Sequence, residues 1–428
     1  MTDQTLTTDV SPRRGLTPWR AVVGFGVVSL AADMVYEGAR SVTGPLLGAL
    51  GASALVVGLV TGAGEAMALL LRLAFGPLAD RTSRYWALTL AGYGLTAVCV
   101  PLLALAPVLG GAGLAVACGL IVAERVGKAV RSPAKSALLA RAAGAVGRGR
   151  GFAVHKALDQ VGAFAGPLLV AALTAATGVL WPALAVLAVP GAAAMGLLLW
   201  MRRKVPDAAG HEATPPAVPG QRRPTRVAGW LGVDLPRRFF WFAAAAGAST
   251  TGLVTFGLIS YHASRVGLIT VAAVPVLYAA AMAAEAVAAL ASGHLYDRWG
   301  GRVLYALPVI AIAVPALALS RSGVGLLVGA LLWGAAVGVQ DSTVKALVAD
   351  LVAAPRRATA YGVFAAVQGV AALAGGALAG GLYSHSLPLL VVLLCACQVT
   401  AAALLAAALT RRSAPGGTTS GDRATVGG

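Results

Sequence analysis

Gly76-Pro77-Leu78-Ala79-Asp80-Arg81-Thr82-Ser83-Arg84 closes one long apolar stretch of the chain, and Gly293-His294-Leu295-Tyr296-Asp297-Arg298-Trp299-Gly300-Gly301-Arg302 closes another. Both contain Gly-x-Leu-x-Asp-Arg, and Asp80 and Asp297 lie 217 residues apart in a chain of 428. A polar phrase repeated at half the chain length, each time in a turn after an apolar run of spanning length, predicts a duplicated helical membrane protein.

Composition agrees. The chain is 58% hydrophobic and 11% charged, with a mean hydropathy of +0.81, whereas soluble domains carry about a quarter charged residues. Runs of roughly 20 apolar residues, rather than alternating segments of about 10, select helices over a β-barrel. The net charge of +17 does not indicate nucleic acid, because the basic residues are sorted by side. With the N-terminus inside, 25 of the 33 fall in inner loops and tails or, for Arg20 and Arg131, at the inner ends of spans; Arg265 and Arg321 fall outside, and six (Arg40, Arg72, Arg125, Lys128, Lys156, Lys345) lie further within spans. That is the positive-inside bias of a multi-pass protein of the cytoplasmic membrane with both termini in the cytoplasm. Cys99, Cys118, Cys395 and Cys397 sit in apolar runs without CxxC spacing and read as small core residues. No cleavage-like site follows the first apolar run, so the first span is expected to be a retained anchor.

Twelve spans are expected, at 20–47, 54–79, 85–107, 112–132, 151–176, 180–201, 239–262, 270–294, 303–320, 323–347, 360–383 and 387–410. They group into a cytoplasmic tail at 1–19, a six-helix bundle at 20–201, a Pro-, Ala- and Arg-rich cytoplasmic linker at 202–238, a second six-helix bundle at 239–410 and a cytoplasmic tail at 411–428. The repeat continues beyond the opening phrase. At the same offset Glu124 falls on Asp341 and Lys128 on Lys345, and Gly166-Pro167 falls on Gly375-Gly376 at a shorter offset. Six spans per half give both halves the same orientation, which places a site between them.

Two six-helix halves, a basic central linker and Asp-Arg phrases after spans two and eight resemble the major facilitator superfamily over essentially the whole chain. That family's loop reads Gly-x-Leu-x-Asp-Arg-x-Gly-Arg-Arg or near it. Here Ser83 stands at its Gly and Tyr85 at its last basic position, while the second copy keeps Gly300 and Arg302. Gly162-Ala163-Phe164-Ala165-Gly166-Pro167 resembles the Gly-x-x-x-Gly-Pro motif of the family's proton antiporters, with Val170 and Ala171 in place of its closing Gly pair. Arg125 is similar to the family's membrane-buried Arg, and Lys128 stands where a Gln is common. The phrases Glu124-Arg125-Val126-Gly127-Lys128 and Ala360-Tyr361-Gly362-Val363-Phe364 resemble a little-characterised bacterial and archaeal branch near the multidrug exporters. The resemblance implies an all-α fold of twelve transmembrane helices, a monomer and secondary active transport by alternating access. It also implies a latch at Gly76, Asp80, Arg81, Arg84, Gly293, Asp297, Arg298 and Arg302 that holds the outward-facing state.

An ionised side chain near a bilayer centre costs about 2.5 to 3.5 kcal/mol on insertion scales, so such groups are retained where they are paired, hydrated or useful. Span one carries Asp33, Tyr36, Glu37 and Arg40 on one helical stripe, Glu37 within pairing distance of Arg40. Glu65 and Arg72 stand seven apart in span two and read as a staple or as site residues; Glu124, Arg125 and Lys128 lie in span four. A membrane carboxyl that takes up and releases a proton is what proton coupling requires, so Asp33 or Glu37 is expected to bind the coupling proton, with Arg125 tuning it. In the second half Glu285 stands alone, and Asp341 either pairs with Lys345 or contacts substrate. Lys156 and Asp159 are expected to pair near the cytoplasmic mouth. Gly58 and Gly62, like Gly162 and Gly166, allow close helix approach, and Pro167 can bend its helix.

No nucleotide-binding loop is present: Gly127-Lys128, the one Gly-Lys pair, has Val122 where a P-loop needs Gly. The five histidines show no metal-ligand spacing and no Gly-x-Ser-x-Gly elbow occurs, so neither a metal centre, a cofactor nor an enzyme is expected. The leading expectation is a proton-coupled exporter of a small amphipathic molecule. The same buried charges would serve a symporter importing a metabolite, and a receptor or assembly factor on the same fold is the competing class. The expected partners are a small-molecule substrate, protons and lipid.

Overall fold

A computed structural model describes residues 16–204, 235–353 and 356–410, apart from the side chains of Arg148, Lys345 and Ala358. Most of the linker and nearly all of both tails expected from the sequence lie outside the described residues. Those described are almost entirely helical, without strands.

Ten continuous helical stretches are long and apolar enough to cross a membrane, and two of them are too long to be single spans: Tyr85–Gly144 has 60 residues and Ala273–Ala318 has 46. At a rise of 1.5 Å per residue the longer would reach about 90 Å, roughly three times the hydrocarbon thickness. Each reverses at a glycine with positive φ, Gly110 (φ 54°, ψ −127°) and Gly300 (φ 57°, ψ −147°). Twelve spans result, in two parallel six-helix repeats.

Several spans are broken. Span one is Pro18–Ser41 followed by Thr43–Ala49, and span two is Ala54–Leu70 followed by Arg72–Thr82. Span seven is Arg237–Gly252 followed by Phe256–Arg265; Leu253 leaves the helix at ψ 106° and Thr255 restarts it, its hydroxyl accepting from Leu258 N at 3.3 Å. Span four runs Gly113–Gly144 and span five Arg148–Thr177, both beyond the apolar limits at 132 and 151. Spans eight (Ala273–Trp299) and ten (Gly323–Leu351) overrun in the same way. Hydropathy marks where lipid stops, whereas the backbone stays helical until a turn residue ends it. The Asp-Arg phrases consequently lie in last helical turns rather than in the turns themselves, which fall at Ser83 and Gly300.

The halves meet in backbone contact toward the end of the bundle away from the termini. A Cβ at Gly58 would fall on the carbonyl oxygen of Gly376, and one at Gly380 on that of Ala54, so the expected close approach of span two is made to span eleven (Arg357–Tyr383). Tyr261 Oη donates to Ala52 O at 3.2 Å, and the hydroxyls of Thr61 and Thr255 meet at 3.0 Å across the halves.

Ser83 and Gly300 occupy the same place in the two repeats, and both have positive φ, 52° and 57°. Ser83 is the one described non-glycine residue in that region, which costs an L-residue roughly 1 to 2 kcal/mol, offset in part by the backbone freedom a glycine loses on folding. Ser83→Gly is therefore expected to stabilise by about 0.5 to 1 kcal/mol, and Gly300→Ala to destabilise by about 1 to 3 kcal/mol because its ψ admits almost only glycine. Thermal unfolding of the purified protein reads both; a loss of stability in Ser83→Gly contradicts the expectation.

Candidate functional site

The inward stripe of span one places Tyr36, Glu37 and Arg40 against spans two and four. Arg40 Nη2 donates to Glu65 Oε1 at 3.0 Å, and Arg125 Nη1 stands 3.5 Å from the same oxygen. Arg125 also donates to Tyr36 Oη and lies 3.6 Å from Glu124 Oε2. Behind it, Glu124 Oε1 accepts from Thr96 Oγ1 at 3.1 Å and sits 3.8 Å from Arg131, which itself donates to Thr96. The expected contact of Glu37 with Arg40 is present at 3.8 Å, and Glu37 Oε2 also accepts from Tyr278 Oη on span eight, a bond between the halves. This network lies deep in the bundle, yet 25% of the Arg40 side chain and 31% of Glu65 are solvent-accessible. The charges therefore line a partly solvent-accessible cleft rather than a sealed core.

The pairing of Glu65 with Arg72 is not found. Seven residues separate them along the axis by about 10 Å, whereas Arg40 and Arg125 arrive at the level of Glu65 from neighbouring helices. Arg72 Nε is buried without a hydrogen-bond partner. Lys128 stacks on the Tyr36 ring, its Nζ 3.9 Å from the centroid, with Arg125 at 4.6 Å from the same ring.

A second cluster lies nearer the termini. The Asp33 carboxyl on span one and the Asp159 carboxyl on span five face each other within electrostatic reach. Asp159 Oδ1 accepts from Ser29 Oγ at 2.7 Å and Oδ2 from Lys156 Nζ at 2.8 Å, so Lys156 and Asp159 pair as expected. Lys135 Nζ on span four donates to Ser29 Oγ at 3.2 Å, and His155 lies within electrostatic reach of Asp159 and Lys135. Gly162 and Gly166 make this meeting possible: a Cβ at either would fall on the backbone of Leu30 or Met34, so the glycines admit span one against span five. Arg125 contacts Tyr36, Glu65 and Glu124; the lysines within electrostatic reach of Asp33 are Lys135 and Lys156.

Across the cavity, Glu285 on span eight is within electrostatic reach of Asp341, Glu37, Arg40 and Lys156, and Asp341 on span ten within reach of Arg72. The Lys345 side chain, expected as a partner of Asp341, lies outside the described residues. Lys156 is 67% accessible and Asp341 is exposed, so the cavity opens toward the termini. At the expected latch, Asp80 accepts from Tyr85 Oη at 3.3 Å, a bond within its own half. Among the described residues no ion pair joins Asp80, Arg81, Arg84, Asp297, Arg298 or Arg302 to the opposite half; all are exposed, and no added Cβ at Gly76 or Gly293 would meet an atom.

Sequence reading missed Arg131 and Lys135 as inward-facing groups. A signal for them exists: Glu124, Lys128, Arg131 and Lys135 follow in steps of four, three and four, one face of a helix that continues through Pro133. The Asp33–Asp159 meeting and the Tyr278–Glu37 bond had no local signal. Among the described residues no cluster of His, Cys, Asp and Glu could hold a metal ion.

Two six-helix repeats around a charged, partly solvent-accessible cavity are the architecture of a secondary membrane transporter. The profile of the Major Facilitator Superfamily matches residues 25–284 and 269–426, and the chain belongs to that family. An uncharacterised protein of Mycobacterium tuberculosis (strain ATCC 25618 / H37Rv) is 53% identical over 406 residues, covering 94% of this chain and 96% of its own length; one of Mycobacterium bovis matches equally. Among solved structures, a mutant of the nucleoside transporter NupG superposes with a TM-score of 0.73 at 15% identity, over 91% of this chain and 100% of its own. A POT family transporter in complex with 5-aminolevulinic acid gives 0.70 at 13% identity, covering 93% and 97%. A bacterial homologue of the lysosomal transporter Spinster, inward-facing and unoccupied, gives 0.61 at 16%, covering 91% and 94%. Identities this low speak to the fold alone.

Proposed function

We propose that the protein is a proton-coupled exporter of a small amphipathic molecule, monomeric, in the cytoplasmic membrane with both termini in the cytoplasm. Substrate enters the central cavity beside Tyr36, Arg40, Glu65, Arg125 and Lys128, and Asp33 with Asp159 carries the coupling proton. The observation that carries this reading is that two carboxyl groups face each other inside the helical bundle. Two carboxylates so placed repel, so such a pair holds a proton between its members and releases it when its surroundings change. The groups facing the pair are Ser29 and Glu37 on span one, Lys135 on span four, and His155 and Lys156 on span five, with Glu285 across the cavity. The resemblance of Gly162 to Pro167 to an antiporter motif favours export, and sealing of the halves at the far end with exposure of Lys156 and Asp341 at the near end describes an inward-facing state.

Interior pH, followed with a quenching dye in respiring inside-out vesicles while cationic, neutral and anionic compounds are added, tests the proposal. Compound-triggered proton efflux from the vesicles is expected. Proton movement of the opposite sign would make the protein a symporter, and binding without flux in reconstituted liposomes would make it a receptor.

A further inference from the structure

Three cations surround one aromatic ring in the cavity: Lys128 at 3.9 Å from the Tyr36 centroid, Arg125 at 4.6 Å and Arg40 at 6.0 Å. Arg40 and Arg125 are neutralised, since both reach Glu65, and Arg40 reaches Glu37 and Arg125 reaches Glu124 as well. Lys128 is not. Among the described residues its ammonium has no carboxylate within 4.0 Å and no hydrogen bond, only the ring face. Arg72 has no ion pair either, and its buried Nε is unsatisfied. Both cations act electrostatically on Glu65, whose Oε1 is already shared by two guanidiniums. On the first half's wall five cations (Arg40, Arg72, Arg125, Lys128, Arg131) face three carboxylates (Glu37, Glu65, Glu124), and the balancing acidic groups, Glu285 and Asp341, stand on the opposite wall. A surplus of cations on one wall at this depth is costly, and a bound anion offsets it there.

We propose that Lys128 and Arg72 form an anion subsite, so that the transported molecule is an organic anion whose carboxylate or phosphate oxygens lie between these two side chains. This rests on the transporter reading above and narrows it. Lysine and arginine are the side chains that recognise such groups, the guanidinium through a planar fork and the ammonium as a compact charge. Glu285 and Asp341, on the opposite wall, repel the same group and orient it toward the first half.

The test measures binding by intrinsic fluorescence, with the full chain in nanodiscs and no proton gradient. Four probes share one tail and differ in head group: hexanoate, hexyl phosphate, hexanol and hexylammonium. Saturable binding of at least one anion at millimolar concentration, tighter than hexanol or hexylammonium, is expected. The relative affinities of hexanoate and hexyl phosphate tell a carboxylate from a phosphate ligand. Lys128→Gln and Arg72→Gln should each weaken that anion by about tenfold or more, with Lys128→Arg restoring most of the affinity. Equal or tighter binding of hexanol or hexylammonium, or anion affinity unchanged in both glutamine variants, overturns the proposal. Where a variant fails to fold, the order of the four probes on the unmodified protein decides alone. Because no gradient is used, compound-driven proton movement without preference for the anions would discard the subsite and keep the transporter, and the converse would separate the two the other way.

Discussion

Glu65→Gln is expected to destabilise the protein by about 2 to 4 kcal/mol, the largest loss from a single conservative change in the cavity. The reason is geometric: Oε1 of one carboxylate takes Arg40 at 3.0 Å and Arg125 at 3.5 Å, so neutralising it strands two guanidiniums at once. Removing one partner of a fully buried pair costs about 3 to 5 kcal/mol; the 31% accessibility of the Glu65 side chain lowers the expectation, because water screens part of the stranded charge. Arg40 keeps Glu37 at 3.8 Å and Arg125 keeps Glu124 at 3.6 Å, which limits the loss further. Arg40→Gln added to Glu65→Gln should recover part of the stability, since the double variant removes one of the stranded cations. Thermal unfolding in detergent, read as a double-mutant cycle, checks both statements. A loss below about 1 kcal/mol for Glu65→Gln, or strict additivity of the pair, would show that hydration and not Glu65 neutralises these arginines.

What could be read from sequence was what is local. Twelve spans follow from hydropathy, and the halves follow from Gly-x-Leu-x-Asp-Arg at Gly76 and Gly293, because a bilayer imposes length and a duplication leaves its phrase in place. Intrahelical pairings were legible at three residues, as for Glu37 with Arg40 and Lys156 with Asp159. They failed at seven, where Glu65 found partners on other helices instead of Arg72. Arg131 falls at the expected end of span four and Lys135 beyond it, because hydropathy drops there, although the helix continues to Gly144 and turns both inward. The meeting of Asp33 with Asp159 depends on which faces of spans one and five are in contact. Gly162 and Gly166 decide that by admitting the backbone of Leu30 and Met34, and nothing near Asp33 in the sequence announces it. Tyr278 likewise reaches Glu37 only because the halves close on each other.

Asp33→Asn is expected to reduce proton-driven transport to background while leaving gradient-independent exchange of the same compound across the membrane. Asp159 has both oxygens engaged, by Ser29 at 2.7 Å and Lys156 at 2.8 Å, so the proton held by the pair belongs on Asp33. When that proton leaves, two like charges face each other, a repulsion of about 4 kcal/mol at 4 Å with an effective dielectric constant near 20. Lys156 is the group placed to respond. It is held by Asp159, lies within reach of Asp33 and also of Glu285 on the opposite half, and is largely exposed to the cavity between them. In the proposed coupling, deprotonation would strengthen its hold on the first half and protonation would free it toward Glu285, so that the occupancy of one proton would bias how the halves meet. Asparagine fixes the neutral state and removes the cycle. Asp159→Asn should also uncouple, with an added loss of stability because Ser29 and Lys156 lose their acceptor. Lys156→Gln should leave proton binding but weaken its link to transport. Glu37→Gln separates the two carboxylates of span one: Glu37 is tied to Arg40 and Tyr278, so coupling should survive its loss. Proton flux and exchange, measured side by side in proteoliposomes, decide among these. Loss of coupling in Glu37→Gln but not in Asp33→Asn would move the proton site one turn along span one, and normal proton-driven transport in both variants and in the double variant would remove it from that span altogether.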